Sequence, residues 1–219
     1  RSPQPPPAKG APSPAAKMGG LILSNELLGE GATGKVWLAR FGAMRTEVAA
    51  KVVRKSELNS EQLGWIHEEI KIHREMRHPH ICKLHGALED AQCITMVLSL
   101  CRGTTLCDTM GNALSTGSPL PEEYCRSAFR QLCGALHYCH RNGVVHRDIK
   151  LDNLVWVDER ETHLQLVDFG YAATTNEQSN FAGSPHYAAP EVCESPPTPA
   201  RKLLLILGCL RDLPREAEC

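Results

Sequence analysis

The stretch that most narrows what this chain can fold into is Val144-Val145-His146-Arg147-Asp148-Ile149-Lys150-Leu151-Asp152-Asn153. Behind two β-branched residues it packs a carboxylate, a lysine and an amide into one short run. Chemistry on a phosphate needs such a set at close quarters: a group that orients a hydroxyl and accepts its proton, a cation that meets phosphate charge, and an oxygen that ligates Mg²⁺. A plain polar turn between a helix and a strand uses the same residue types, so the remainder of the chain decides between the two readings.

Upstream, Leu27-Leu28-Gly29-Glu30-Gly31-Ala32-Thr33-Gly34-Lys35-Val36-Trp37-Leu38 reads as strand, glycine turn, strand. Gly29, Gly31 and Gly34 fit the spacing of a dinucleotide-binding turn, but there the glycines open a helix. Here strand-like Val36-Trp37-Leu38 follows, which favours a flap of backbone amides folded over phosphates. A third strand, Glu47 to Val53, carries one lysine, Lys51, among small and β-branched residues. A helix is expected from about Ser60 to Met76, with Leu63, Ile66 and Ile70 on its inward face. Glu69 borders that face, whereas Glu68 is rotated about 100° from Glu69.

Cys93 to Leu98 reads as a buried strand. Pro121 to Asn142 gives the clearest helix, opened by proline and two glutamates and ended by Gly143. Cys125, Ala128, Phe129, Leu132, Leu136 and Cys139 line one side of it. A short strand, Leu154 to Val157, a polar turn and a strand, Leu164 to Val167, lead to Asp168-Phe169-Gly170, and Ala189-Pro190-Glu191 lies downstream.

Glycine loop, lone strand lysine, helix glutamate, HRDIKLDN, DFG and APE occur in one order over residues 21 to 191, and in that order they resemble the eukaryotic protein kinase family. The resemblance implies an α+β, two-lobed fold with a small β-rich lobe at 21–98, a hinge at 99–103 and a helical lobe at 104–191. It implies Asp148 as base, Lys150 as phosphate contact, Lys51 and its partner Glu69 as holders of ATP phosphates, and Asn153 and Asp168 as Mg²⁺ ligands. Gly29, Gly31, Gly34, Val36, Ala49, Leu98, Ser99, Cys101 and Val155 would complete the nucleotide site. Lys150 two residues after Asp148, and Ser184 before Ala-Pro-Glu, are similar to the serine/threonine branch. Gly183 to Glu191 is most similar to the calmodulin-dependent and AMP-activated-like kinases. Partners implied are ATP, a protein with a Ser or Thr acceptor, and an upstream kinase or a chaperone.

Departures from the family pattern are His73, where an apolar residue is usual, Ser99 in place of an acidic hinge residue, and Asn180 near the place of an activating threonine. Ser179, Thr174 and Thr175 are then the candidate switch hydroxyls. After Glu191 the prolines at 196, 197 and 199 forbid the family's next helix, so residues 192–219 read as an atypical tail and the helical lobe as incomplete. On that basis the chain is expected to be a feeble kinase, or a truncated ATP-binding decoy acting through partners. A start at Arg1 points to a fragment or processed product, and Pro/Ala-rich residues 1–20 to a disordered segment.

The net charge of -1 offers no bulk attraction to nucleic acid or an anionic membrane. The longest apolar run, Leu203 to Leu207, is too short to cross a bilayer. The 10 cysteines include no CxxC pair and read as reduced thiols, several of them acting as small hydrophobes, which points to an intracellular, cytoplasmic protein.

Overall fold

A computed structural model describes residues 20–31, 34–41, 46–174 and 183–187. Residues 1–19, Thr175, Ser179, Asn180, the Ala-Pro-Glu motif and the tail from 192 lie outside the described residues. The chain forms two compact units, residues 1–64 with 84–100, and residues 65–83 with 101–219.

The first unit is built on a five-stranded antiparallel sheet. Its strands are β1 (Leu21–Gly31), β2 (Gly34–Phe41), β3 (Glu47–Arg54), β4 (Leu84–Glu89) and β5 (Cys93–Ser99), in the order β1-β2-β3-β5-β4. Small residues make the centre possible. Ala50 on β3 stands opposite Trp37 on one side and Val97 on the other, and it is fully buried with Leu21, Ala39, Val48 and Val97. The start of β2 runs so close to β3 that a Cβ on Gly34 would lie 2.6 Å from the Val52 carbonyl oxygen, which no side chain tolerates.

The second unit takes most of α1 (Ser60–Glu75), with α2 (Leu106–Thr116) and α3 (Glu122–Arg141). Short antiparallel pairs join β6 (Val144–Val145) to β9 (Ala173–Thr174) and β7 (Leu154–Trp156) to β8 (Leu164–Leu166). Thr105 opens α2 with a reciprocal capping box to Asp108, and Gly117 closes it in the left-handed conformation. The core gathers Ile72, Met76, Ile81, Trp156, Leu166 and Phe169.

The buried seam of α3 is narrower than its apolar pattern suggests. Ala128, Ala135 and Cys139 are buried and Leu132 and Leu136 are partly so. Cys125 and Phe129 are exposed, because at seven- and four-residue steps the seam passes between them. Of the cysteines read as small hydrophobes, only Cys139 is buried, and burial pushes its thiol up to about 12; Cys125 and Cys133 are exposed. Among the described residues no helix is long and apolar enough to cross a membrane.

Candidate active site

In the first unit, strand register gathers the candidate nucleotide residues on one face. Gly29 pairs with Val36, and Val36 in turn with Lys51. Two residues along β3, Ala49 pairs with Leu98. Cross-strand partners share a face and residues i and i+2 return to it, so Val36, Lys51, Ala49 and Leu98 point the same way. Lys51 is buried on that face, and the Ser99 hydroxyl is engaged by His85 at 3.0 Å. The three loop glycines differ in what they owe to the fold. Gly34 is required by Val52, whereas a Cβ on Gly29 would meet nothing and one on Gly31 only ordinary contact at 3.9 Å. Packing does not demand glycine at those two positions.

In the second unit, β6 delivers the HRD stretch. Two residues past β6, Arg147 stands at φ 66, and Asp168, after β8, has φ 59. Two of the three described non-glycine residues with positive φ therefore flank one site, a cost that the surrounding hydrogen bonds must hold in place.

Asp148 is the centre of that network. Its side chain is 1% exposed. Oδ1 accepts from the Ser184 amide at 2.9 Å and from the Ser184 hydroxyl at 2.7 Å. Oδ2 accepts from Lys150 Nζ at 2.9 Å and from Asn153 Nδ2 at 2.9 Å. Burial pushes the Asp148 carboxyl upward, but donation from Lys150 and Ser184, the Lys150 charge and Asn153 outweigh it and hold it below the usual carboxylate range. For Lys150, burial pulls downward while the Asp148 bond and charge, with Asp168 and Asp152, raise it on balance. Asp148 is thus held ionised and Lys150 charged.

Asn153 also donates from Nδ2 to the Asp148 carbonyl at 2.8 Å, so its amide nitrogen is committed to Asp148 through both backbone and side chain. The Val167 amide donates to the Asn153 carbonyl at 2.9 Å, which ties Asp168 one residue away from that amide. Among the described residues no group of three or more His, Cys, Asp or Glu could hold a metal alone. An amide oxygen and a carboxylate suit Mg²⁺, which keeps waters and shares substrate phosphates rather than filling an all-protein cage.

Behind these groups lies an aromatic column. Phe169 is fully buried, its ring 4.8 Å from His146 edge-on and 4.5 Å from His73 in a stack. His146 Nε2 donates to the Val167 carbonyl at 3.0 Å while Nδ1 accepts from the Asp148 amide at 3.3 Å, the neutral tautomer that burial favours. Glu69 is buried, and its Oε2 would lie 3.5 Å from a Cβ on Gly170, beside Asp168. Glu68 is half-buried and pairs with Lys71 at 3.0 Å. Val155 on β7 faces Gln165 on β8, whose side-chain oxygen accepts from the Cys101 thiol at 3.3 Å.

The structure thus brings Asp148, Lys150, Asn153 and Ser184 into one cluster with Asp168 and Glu69 in the same unit, and Gly29, Val36, Lys51, Ala49 and Leu98 onto one sheet face. Sequence reasoning passed over His146, whose buried ring fixes the Asp148 amide. It named Ser184 only as a mark of type, not as a ligand of Asp148. The hydroxyl sits 36 positions downstream, beyond the reach of any local pattern.

Residues 23–204 match the protein kinase domain. The chain is 38% identical over 176 residues to NUAK family SNF1-like kinase 2 of Rattus norvegicus, covering 78% of this chain and 27% of that protein. It is 33% identical over 191 residues to serine/threonine-protein kinase SIK2 of Gallus gallus, covering 86% and 23%. With the carbon catabolite-derepressing protein kinase of Candida tropicalis it shares 38% over 170 residues, covering 75% and 26%. The chain spans about a quarter of the length of these curated relatives. With its sheet, catalytic loop and Asp-Phe-Gly turn in the family's order, the chain belongs to the protein kinase family.

Proposed function

We propose that the chain transfers the γ-phosphoryl group of ATP to serine or threonine hydroxyls of a protein, with Asp148 as the base. The observation that carries this reading is the four-donor clasp on the Asp148 carboxylate. It keeps a buried carboxylate ionised and aimed, which a residue that accepts a hydroxyl proton requires. Mg²⁺-bound ATP supplies the activated phosphoryl group when present. Asn153 and Asp168 offer it oxygen ligands, Lys150 meets phosphate charge beside the base, and Lys51, with Glu69 as partner, holds the remaining phosphates. Gly29, Gly31 and Gly34 give backbone amides to those phosphates, while Val36, Ala49, Leu98, Ser99, Cys101 and Val155 hold the base of the nucleotide. The serine/threonine assignment is supported by Lys150 and Ser184 and by the names of the relatives. An upstream kinase or a chaperone as partner, and a cytoplasmic setting, belong to the same proposal.

Asp148→Asn tests it. The amide keeps the shape but loses the proton acceptor, so phosphate transfer to a serine peptide should fall by about 10²-fold or more while ATP still binds. Unchanged transfer removes Asp148 from the role. Transfer to tyrosine alone removes the serine/threonine assignment, and ATP binding with no transfer by the parent chain points instead to a non-catalytic ATP-binding module.

A further inference from the structure

The segment between α1 and β4 is fastened to its surroundings by histidines. His78, His80 and His163 form a row of rings, their centroids 5.5 Å apart from His78 to His80 and 4.9 Å apart from His80 to His163. All three are half-buried, and the row ends on the Tyr138 ring of α3, 5.3 Å from His78. His80 Nδ1 donates to the Leu164 carbonyl at 3.0 Å, and His163 Nε2 donates to the Pro79 carbonyl at 3.0 Å. Both bonds survive protonation, because each ring takes the proton on its other nitrogen. His78 is the exception. Its Nδ1 accepts from the His80 amide at 3.1 Å, so its own hydrogen sits on Nε2 and only Nδ1 is left to protonate. A proton there turns the acceptor into a donor aimed at a donor.

We propose that His78 is the proton sensor of a clasp that holds this segment against β8 and α3: protonation releases the His80 amide, loosens the segment, and lowers both the stability of the second unit and phosphoryl transfer. The effect on transfer rests on the function proposed above. The segment is placed to carry it. Along β8, the Leu166 amide donates to the His80 carbonyl at 2.9 Å, the Cys82 amide to the Leu166 carbonyl at 2.9 Å, and Gln165 Nε2 to the Pro79 carbonyl at 3.1 Å. Upstream lies α1 with Glu69 and His73, and β8 ends two residues before Asp168.

The surroundings offer the new charge no counterion. From α3, His78 meets the Tyr138 ring and Gly134, where an added Cβ would lie 3.7 Å from His78 Cε1. The neighbouring Arg77 guanidinium turns to the Met76 carbonyl at 3.0 Å, and from β8 come Leu164 and Gln165, both uncharged. Beyond His80 stands His163, another cation when protonated. Burial, and then the charge of His80, hold the His78 ring below the ordinary histidine value. The unfolded chain therefore takes this proton at higher pH than the folded one. The contribution to stability is full above about pH 6.5 and is lost as pH falls below it.

The test compares the full chain with His78→Asn, whose Oδ1 stands where Nδ1 stood, accepts the same amide and takes no proton. In urea titrations from about pH 7.5 to about pH 5.5, the parent should lose stability relative to the variant as pH falls. Single-turnover transfer from labelled ATP to a serine peptide should show a matching acid limb in the parent that His78→Asn lacks. Asp148, held below the usual carboxylate range, sets a separate limb at lower pH. In the parent, nitrogen NMR should find His78 as the Nε2–H tautomer at neutral pH, with the His80 amide shifting at the His78 midpoint. This readout needs no variant, so it decides the matter where His78→Asn fails to fold. An Nδ1–H tautomer, a His80 amide that does not follow His78, a stability difference that stays constant with pH, or identical acid limbs in transfer would overturn the proposal. A pH-dependent stability difference in a chain that transfers no phosphate at any pH would uphold the clasp and refute the transfer reading instead.

Discussion

Replacing Ser184 by alanine deletes one oxygen from the clasp on Asp148 and leaves the rest standing. The hydroxyl donates to Asp148 Oδ1 at 2.7 Å and accepts from Lys150 Nζ at 3.1 Å. A hydrogen bond to a charged group contributes about 1.5–3 kcal/mol. The Ser184 amide remains on Oδ1 at 2.9 Å, so the carboxylate oxygen is not stripped bare and the lower half of that range applies. About 1.5–2 kcal/mol corresponds to roughly 10- to 30-fold in rate. Because the lost atom touches the base, the loss should appear in kcat with KM for ATP unmoved.

The pH profile gives a second readout with a definite sign. In the proposed role Asp148 accepts a proton only when ionised, and its carboxyl is held below the usual range, so activity should be lost as pH falls through that lowered value. Removing the Ser184 hydroxyl removes one of the lowering contributions, so the acid limb should move to higher pH. Single-turnover transfer from labelled ATP to a serine peptide, measured across pH, reports both effects, and Ser184→Thr should restore both. A rate that rises in Ser184→Ala would mean that the hydroxyl only occupies the place of the substrate, and an unmoved acid limb would mean that it does not tune the base.

Three further outcomes follow from other parts of the structure. Lys51→Met should weaken MgATP binding measured by calorimetry, since a buried thioether cannot meet phosphate charge, and equal affinity would remove Lys51 from the site. Gly103→Ala should cost about 1–3 kcal/mol in a urea titration, because the new Cβ would lie 2.5 Å from the Asp158 carbonyl oxygen and 2.6 Å from the Trp156 Cβ; Gly64→Ala, whose Cβ meets nothing within 4 Å on α1, should stabilise by about 0.5–1 kcal/mol. Tyr124→Phe removes the donor to Glu161 Oε2 at 2.9 Å and should cost about 0.5–1.5 kcal/mol in the same titration. That cost should be constant from about pH 6 to about pH 10, since burial, with Glu161, pushes the phenol up to about 12 and keeps it protonated.

What was legible in the sequence was whatever a local pattern encodes. Asp148, Lys150 and Asn153 lie within six positions of one another, so their types and spacing already imply a shared site. Runs of β-branched and apolar residues marked β3 and β5, and the i, i+3, i+4 pattern marked α1 and α3 to within a residue or two of their observed ends. The helix α2 went unread although Thr105 and Asp108 stand at capping-box spacing with Gly117 behind, because its apolar residues are few and none is buried. Strand β4 was missed because Gly86 interrupts it at a register shift. Burial of single residues on α3 was beyond pattern alone, since which of two adjoining apolar columns turns inward depends on what packs there. Ser184 was beyond it for another reason: its partner Asp148 lies 36 positions away in the chain.

His73 shows how a departure in sequence can leave the physics intact. The position calls for a flat apolar surface against Phe169, and a histidine offers a ring that stacks on it at 25°. The cost of burying its polar edge is met by Nε2, which donates to the Cys82 carbonyl at 2.6 Å. That bond gives the residue a role an aliphatic side chain could not have. It fastens α1 to the segment before β4, at the same residue whose amide is fastened to β8 through Leu166. Both backbone groups of Cys82 are thus committed to holding the second unit together around Phe169: its carbonyl by His73 of α1 and its amide by Leu166 of β8. A histidine at position 73 therefore does more than fill the place of an apolar side chain; it stacks on Phe169 and closes the hydrogen-bonding potential of the segment that packs beside it.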